Sequence, residues 1–263
     1  MISPSAIAIL LLIILIPLVS LRVLSLFPTR RSQPRSRPSH APTRLLVVLG
    51  SGGHTAEMFS LLHSLDTLKY THRSYVVSSG DAFSALKAKE FERGLYDTAR
   101  ARASAEKKKQ RISPGNGEAQ AMTKEEVYGS YDIEIVPRAR KIYQSLLTTP
   151  ISSLQCLFAC FGILMSTPRA SEVKLGYPDL IVSNGPATAV IVVFASFVLR
   201  FLGLPGTSDK MRTIYVESWA RVRKLSLSGK ILLRVVDRFL VQWERLAQEL
   251  GGQAEYIGVL VSH

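Results

Sequence analysis

Leu45-Leu46-Val47-Val48-Leu49-Gly50-Ser51-Gly52-Gly53-His54-Thr55 decides the fold. Five consecutive aliphatic residues are what a strand buried on both faces of a parallel sheet requires. A glycine-rich turn follows, and residues 55–68 then carry Met58, Leu61, Leu62 and Leu65 at a helical spacing. Strand, glycine turn and helix make the opening unit of a doubly wound α/β sheet. Working outward, residues 74–79 predict a second strand closed by Gly80, and residues 81–92 a helix. Strands are predicted again at 132–136, 179–183, 213–217 and 238–241, with helical stretches at 138–165 and 187–202 between them. The alternation predicts a Rossmann-like doubly wound parallel sheet over residues 44–263. The apolar runs 154–165 and 187–204 are read as crossover helices, covered by protein or dipping into lipid, rather than as additional spans.

The rest of the chain is organised around that sheet. With 263 residues, 47% of them apolar, there is material for one domain plus extensions. Residues 1–21 carry no charged side chain, and continuing to residue 27 gives the length of a spanning helix, with Arg22 able to snorkel to the interface. Arg30, Arg31, Arg35, Arg37 and Arg44 follow the apolar run rather than precede it. That order predicts a retained anchor over 1–27 with the bulk of the protein cytosolic. Residues 28–43, rich in Pro, Ser and Arg, read as a linker along the membrane surface. The net charge of +13 draws six of its arginines from residues 1–44, which contain no acid. A basic arm beside an apolar helix suits an anionic bilayer rather than nucleic acid. Residues 99–124, strongly basic and containing Pro114-Gly115-Asn116-Gly117, read as a mobile insertion. The two cysteines, Cys156 and Cys160, read as small buried hydrophobes. No metal-ligand spacing is visible, and neither a metal nor a cofactor is expected.

Three motifs carry chemistry. In the turn Gly50-Ser51-Gly52-Gly53, small residues let backbone amides at a helix N-terminus approach a phosphate, so a diphosphate is the expected ligand. No lysine follows the glycines, which excludes a nucleoside-triphosphate P-loop. A dinucleotide fingerprint needs glycine where Thr55 stands, although Asp81 follows the second strand as a ribose-binding acid does. A membrane-bound nicotinamide-dependent dehydrogenase therefore remains an alternative at this step. His54, at the helix start, is a candidate general base or a phosphate contact. Asn184-Gly185-Pro186 ends a strand expected to share its sheet edge with Gly50; Asn184 is expected either to bind sugar or phosphate or to cap the next helix. Glu217, in Tyr215-Val216-Glu217-Ser218-Trp219, is a candidate base or acceptor ligand, with a salt bridge to Arg221 or Arg223 as the alternative. The apolar tail Tyr256-Ile257-Gly258-Val259-Leu260-Val261 reads as an interface or as an edge strand of the same domain.

Taken together, residues 48–57, 178–188, 214–230, 239–243 and 256–260 resemble the asparagine-linked glycosylation fourteen family, over roughly residues 44–263. The resemblance implies a fold similar to the N-terminal half of MurG-type GT-B glycosyltransferases. It implies a separate, soluble, donor-binding subunit that docks on residues 256–261 and is recruited to the endoplasmic reticulum membrane, itself continuous with the nuclear envelope. The pair would transfer N-acetylglucosamine from UDP-N-acetylglucosamine, bound mainly by the partner, to N-acetylglucosaminyl-diphosphodolichol in protein N-glycosylation. Gly50, Gly52, Gly53 and His54 would hold the acceptor diphosphate, with Ser51, Thr55, Asn184 and Gly185 beside them and His54 or Glu217 as base. Alternatively, the chain would be a recruiter, with all chemistry on its partner.

Overall fold

The computed structural model describes residues 3–28, 41–112, 128–140, 144–145, 148–171, 173–185 and 187–260. In chain order the elements are α1 (Pro4–Leu26), β1 (Arg44–Val48), α2 (Gly53–Leu62), β2 (His72–Ser78), α3 (Ala82–Ile112), β3 (Ser130–Val136) and α4 (Thr149–Met165). Then come β4 (Leu180–Asn184), α5 (Ala187–Phe201), β5 (Arg212–Val216), α6 (Leu227–Leu232), β6 (Arg238–Val241), α7 (Glu244–Glu249) and β7 (Glu255–Tyr256). All seven strands pair in parallel, in the order β3-β2-β1-β4-β5-β6-β7. This is a Rossmann-like sheet, as the strand–helix alternation predicts. The chain winds outward from β1 to β3, then crosses over to β4 on the other side of β1, so the switch point lies between β1 and β4.

Burial follows the two-residue period of the strands. Leu46 and Val48 join the cluster containing Cys156 and Cys160 of α4 and Val192 and Val193 of α5. Leu45, Val47 and Leu49 point the other way, onto Met58 and Leu62 of α2 and Ala88 of α3. The two cysteines are core residues, as their sequence setting suggests. Arg44, counted above among the charges of the membrane surface, is instead buried. Its guanidinium donates to Ile163 O (3.1 Å) and Ser166 O (2.8 Å), carbonyls at the end of α4 that lack helical partners, and to Gly176 O (3.1 Å) in the loop before β4. Burial lowers its pKa to about 10.

Several boundaries depart from expectation. The helix expected over 81–92 runs from Ala82 to Ile112, so residues 99–112 of the expected mobile insertion are helical. The Ala, Glu, Lys and Arg content of that stretch is itself helix-favouring, and its first proline is Pro114. The rest of that insertion, from 113 to 124, lies outside the described residues. The helix expected from 138 begins at Thr149, leaving Arg138 and Arg140 in the turn after β3. The linker falls outside the described residues from 29 to 40. Among the described residues no helix is long and apolar enough to cross a membrane, so the fold does not establish the expected anchor. α1 nevertheless exposes Leu11, Leu12, Ile13, Ile14, Leu15, Ile16, Leu18 and Leu21. Arg22, exposed near the end of α1, donates from its guanidinium to Arg200 O (2.6 Å) and Phe201 O (3.0 Å), capping α5.

One buried imidazole links the fold to pH. His72 is fully buried between Ser130 Oγ (2.9 Å from Nδ1) and Ser74 Oγ (3.2 Å from Nε2). Burial, which penalises the charged ring, lowers its pKa from 6.5 to about 4, against the opposing pull of Asp132. A base whose pKa falls on folding stabilises the native state fully above its unfolded pKa, and that contribution is lost as pH falls from about 6.5 towards 4. The loss is of order 3 kcal/mol. Urea unfolding of the detergent-solubilised chain is expected to show a stability drop across this window, and His72→Gln should flatten it.

Candidate functional site

The carboxyl ends of β1, β4 and β5 open into one cleft of about 1070 Å³. Gly50, Ser51, His54, Asn184, Gly185 and Glu217 all line it, so the three sequence motifs meet at the switch point, where open α/β sheets bind ligands. A second hollow of about 490 Å³, between α2 and α3, contains none of these residues.

His54 is the meeting point. The Cβ that Gly50 lacks would lie 2.7 Å from His54 Cβ, and that of Gly185 3.0 Å from the ring's Cγ and Cδ2. The imidazole thus sits between two backbone segments that only glycine brings so close. Gly185 also has φ +78°, a conformation disfavoured for other residues. Asn184 Nδ2 donates to His54 O at 2.5 Å, fastening the β4 turn to the first turn of α2. Since its partner is a carbonyl, the atom at that position must be the amide nitrogen. Asn184 Oδ1 is buried without a partner among the described contacts, as is His54 Nδ1. The side chain of His54 is 30% exposed, so its open edge lies away from Nδ1, leaving Nε2 to meet a ligand.

Gly52, at φ +62°, is the N-cap of α2 and lends no side chain to it; Gly52 and Gly53 lie exposed on the turn rather than among the cleft-lining residues. The amides of the helix N-terminus beside them are suited to an anion. Thr55 is fully buried. Its Oγ1 donates to Gly50 O and lies 2.6 Å from Ser84 Oγ, so it shapes the turn from beneath. Asp81 caps α3, with Oδ1 accepting from Ser84 N (3.1 Å) and Oδ2 from Ser84 Oγ (2.7 Å). That use of Asp81 removes the feature that kept a nicotinamide site in view.

Glu217 is 1% exposed. Its Oε1 accepts from Ser218 N (3.1 Å), and its Oε2 accepts from both Ser226 N and Ser226 Oγ (3.0 Å each). Ser226 in turn caps α6 through Gly229 N (2.9 Å). A Cβ on Gly229 would collide with Glu217 Oε2. The carboxylate therefore holds the loop between β5 and α6 closed, and the alternative ion pair to Arg221 or Arg223 is not among the described contacts. Burial and the charge of Glu217 raise the pKa of the neighbouring phenol of Tyr215, whose hydroxyl donates to Gly185 O (3.1 Å).

Sequence reasoning missed the cations of the cleft. Arg138, Arg140 and Arg221 line it, together with hydroxyls of Ser78, Thr149, Ser153 and Thr188. Arg138 Nε donates to Ser79 O (2.8 Å), which holds the residue at the rim. Its position two residues beyond the end of β3 was the available signal, obscured by assigning it to a helix. Three guanidiniums around a helix N-terminus favour an anionic ligand. Of the expected interface tail, Tyr256 belongs to β7 with Glu255 before it, so the tail begins on the edge strand of this sheet. Tyr256 and Val259 remain exposed, and Val261 lies outside the described residues.

Comparison with known proteins adds independent information. A family model described as "Oligosaccharide biosynthesis protein Alg14 like" matches residues 45–260. The UDP-N-acetylglucosamine transferase subunit alg14 of Aspergillus fumigatus is 41% identical over 244 residues, covering 78% of this chain and 100% of that protein. The subunit of the same name in Yarrowia lipolytica is 39% identical, covering 99% of this chain and 98% of that one. The human subunit is 35% identical, covering 82% of each.

The glycine box around His54 is directly testable. Gly185→Ala adds a Cβ against the ring at a positive φ, and should cost about 1–3 kcal/mol of stability. Gly53→Ala, which meets open space in a helical position, should change stability by less than about 1 kcal/mol. Chemical unfolding of both variants checks the contrast.

Proposed function

Because the chain belongs to the Alg14-like family of oligosaccharide biosynthesis proteins, we propose that it is the acceptor-binding, membrane-anchoring subunit of a UDP-N-acetylglucosamine transferase. The acceptor is N-acetylglucosaminyl-diphosphodolichol on the cytosolic face of the endoplasmic reticulum, and the product is the chitobiosyl lipid. The observation that carries the reading is the convergence of the α2 N-terminus, His54 and Asn184 in one arginine-rimmed cleft. The acceptor diphosphate lies against the cleft-lining start of the glycine turn, Gly50 and Ser51, beside the α2 N-terminus, with Arg138, Arg140 and Arg221 balancing its charge. Asn184 Oδ1 takes a sugar hydroxyl, which would satisfy a buried acceptor. As the acceptor oxygen attacks C1 of the donor sugar, its proton passes to His54 Nε2, and the bond from C1 to UDP breaks with its electron pair leaving on the UDP oxygen.

A Rossmann-like sheet is one half of a GT-B enzyme, so the UDP-sugar and the stabilisation of leaving UDP belong to a soluble second chain. The exposed Tyr256 and Val259 suit the C-terminal tail to docking that chain. The uncharged leader, its exposed aliphatic side chains on α1 and the arginines after it support a single-pass anchor with a cytosolic domain. On α4, exposed Ile151, Leu154 and Phe158 provide an apolar surface close to Thr149 and Ser153 of the cleft, compatible with a polyprenyl chain.

Purified chain and donor-binding partner, mixed with lipid acceptor and UDP-N-acetylglucosamine, should form chitobiosyl lipid, and neither should do so alone. His54→Ala should lower kcat about a hundredfold or more at unchanged complex levels; full activity would reduce the chain to a recruiter. Deleting residues 256–263 should release the partner from membranes while the domain stays folded. Co-sedimentation of the truncated chain with its partner would rule out docking on the tail.

A further inference from the structure

Glu57 is a buried carboxylate behind the cleft-lining residues His54 and Ser218, and none of the sequence motifs assigns it a role. It lies one turn after His54 on α2 and is 1% exposed. A carboxylate at that depth is costly to bury unless its oxygens are occupied. The two oxygens face different parts of the molecule. Oε1 accepts from Ser218 Oγ (3.0 Å) and Trp219 N (3.4 Å), both in the loop after β5. Oε2 accepts from Gln242 Nε2 (3.4 Å) and lies 3.8 Å from His54 Nδ1, the buried nitrogen that has no hydrogen-bond partner. A small rotation of the ring in its slot between Gly50 and Gly185 would bring Nδ1 within hydrogen-bond reach of that oxygen. A hydrogen bond from Nδ1–H to Glu57 would leave Nε2 unprotonated towards the cleft, the tautomer that accepts a proton. Hydrogen bonds of this kind are often long before substrate binds.

Gln242 extends the connection. Its Nε2 also donates to Glu217 O (3.1 Å), and its Oε1 accepts from Leu260 N (3.0 Å), in the tail that follows β7. The side chain is fully buried, directly after β6. Hydrogen bonds thus link Leu260 through Gln242 to Glu57, and the 3.8 Å gap to His54 Nδ1 is the one step between the tail and the imidazole. We propose that Glu57 is the positioning residue of His54, and that Gln242 makes this positioning depend on the C-terminal tail, so that partner docking sets the imidazole for catalysis. The proposal rests on the preceding reading of His54 as base and of the tail as docking segment.

The test uses the purified two-chain complex. Glu57→Gln keeps an acceptor oxygen for Ser218 and Trp219 but replaces the oxygen facing His54 and Gln242 with an amide donor. Expected are a modestly lower Tm, from the donor of Gln242 left unmet, with unchanged partner content and acceptor KM at a temperature where the complex is folded, and kcat lower by about ten- to hundredfold. Nitrogen-15 spectra should show His54 losing its Nδ1–H tautomer. Gln242→Leu should lower kcat in the same way, and the double variant should lose no more than the worse single one. Ser218→Ala, which touches only the other oxygen, should leave the His54 tautomer unchanged. A Glu57→Gln complex with kcat within about twofold of wild type, beside an inactive His54→Ala complex, overturns this inference and leaves the function standing. An active His54→Ala complex overturns both. If Glu57→Gln does not assemble, the His54 spectrum of Gln242→Leu decides: an unchanged tautomer overturns the proposal.

Discussion

The site depends on one steric constraint: the imidazole of His54 fills the space between Gly50 and Gly185. These glycines open the turns after β1 and β4, the two strands flanking the switch point. Parallel strands hold their backbones about 4.8 Å apart, and the turns beyond them would ordinarily diverge. Here a side chain from one turn packs against the backbone of the other, while Asn184 donates back to His54 O. Ring and hydrogen bond fix the separation from both sides. The α2 N-terminus is therefore held against the rim of the cleft rather than left to move with its loop. A ligand bound at that N-terminus would meet preorganised amides, which is where electrostatic catalysis gains most.

Beneath the rim, the acids serve the backbone. Glu217 gathers the amides at 218 and 226, and Glu57 gathers the hydroxyl of Ser218 and the amide of Trp219. Both carboxylates are buried, and their lone pairs are met by donors whose loss would leave uncompensated charge. The arginines stand at the opposite depth, lining the opening. The resulting layering, anions bound inside the wall and cations at the mouth, lets the cleft attract a phosphorylated ligand without repelling it from below. Gly229 is part of this layering, because any side chain there would displace Glu217.

The sheet was legible because its strands are aliphatic runs ended by glycine or polar turns, and a parallel order follows from alternation. Convergence of Gly50, Asn184 and Glu217 was legible for the same reason: every parallel strand ends on one edge. Side-chain roles were less so. Thr55 and Glu217 are polar residues at motif positions, yet their partners, Ser84 and Ser226, are fixed by tertiary packing rather than by local spacing. Glu57 looked like an ordinary polar helix position, since Gln242 lies 185 residues away. Arg138 and Arg140 were hidden by a helix boundary, which local propensity places poorly where a turn precedes Pro150. Arg44, in turn, looked like a surface charge until the end of α4 and the loop before β4 brought three carbonyls to it.

The end of the chain has a double attachment. β7 is only two residues long and sits at the sheet's edge, where an unpaired strand invites a further chain. Its Glu255 pairs with Arg238 across the edge, so the strand is held in register by a salt bridge at the surface and by Ile257 N donating to Val241 O (3.1 Å). Beyond it the chain turns inward, and Leu260 N reaches Gln242 beside Glu217 and Glu57. A segment with one part exposed at an edge and the next bonded into the wall of the cleft cannot be moved at one end without strain at the other. A chain laid over Tyr256, as proposed for the partner, would therefore act through Leu260 and Gln242 on the carboxylate that borders His54.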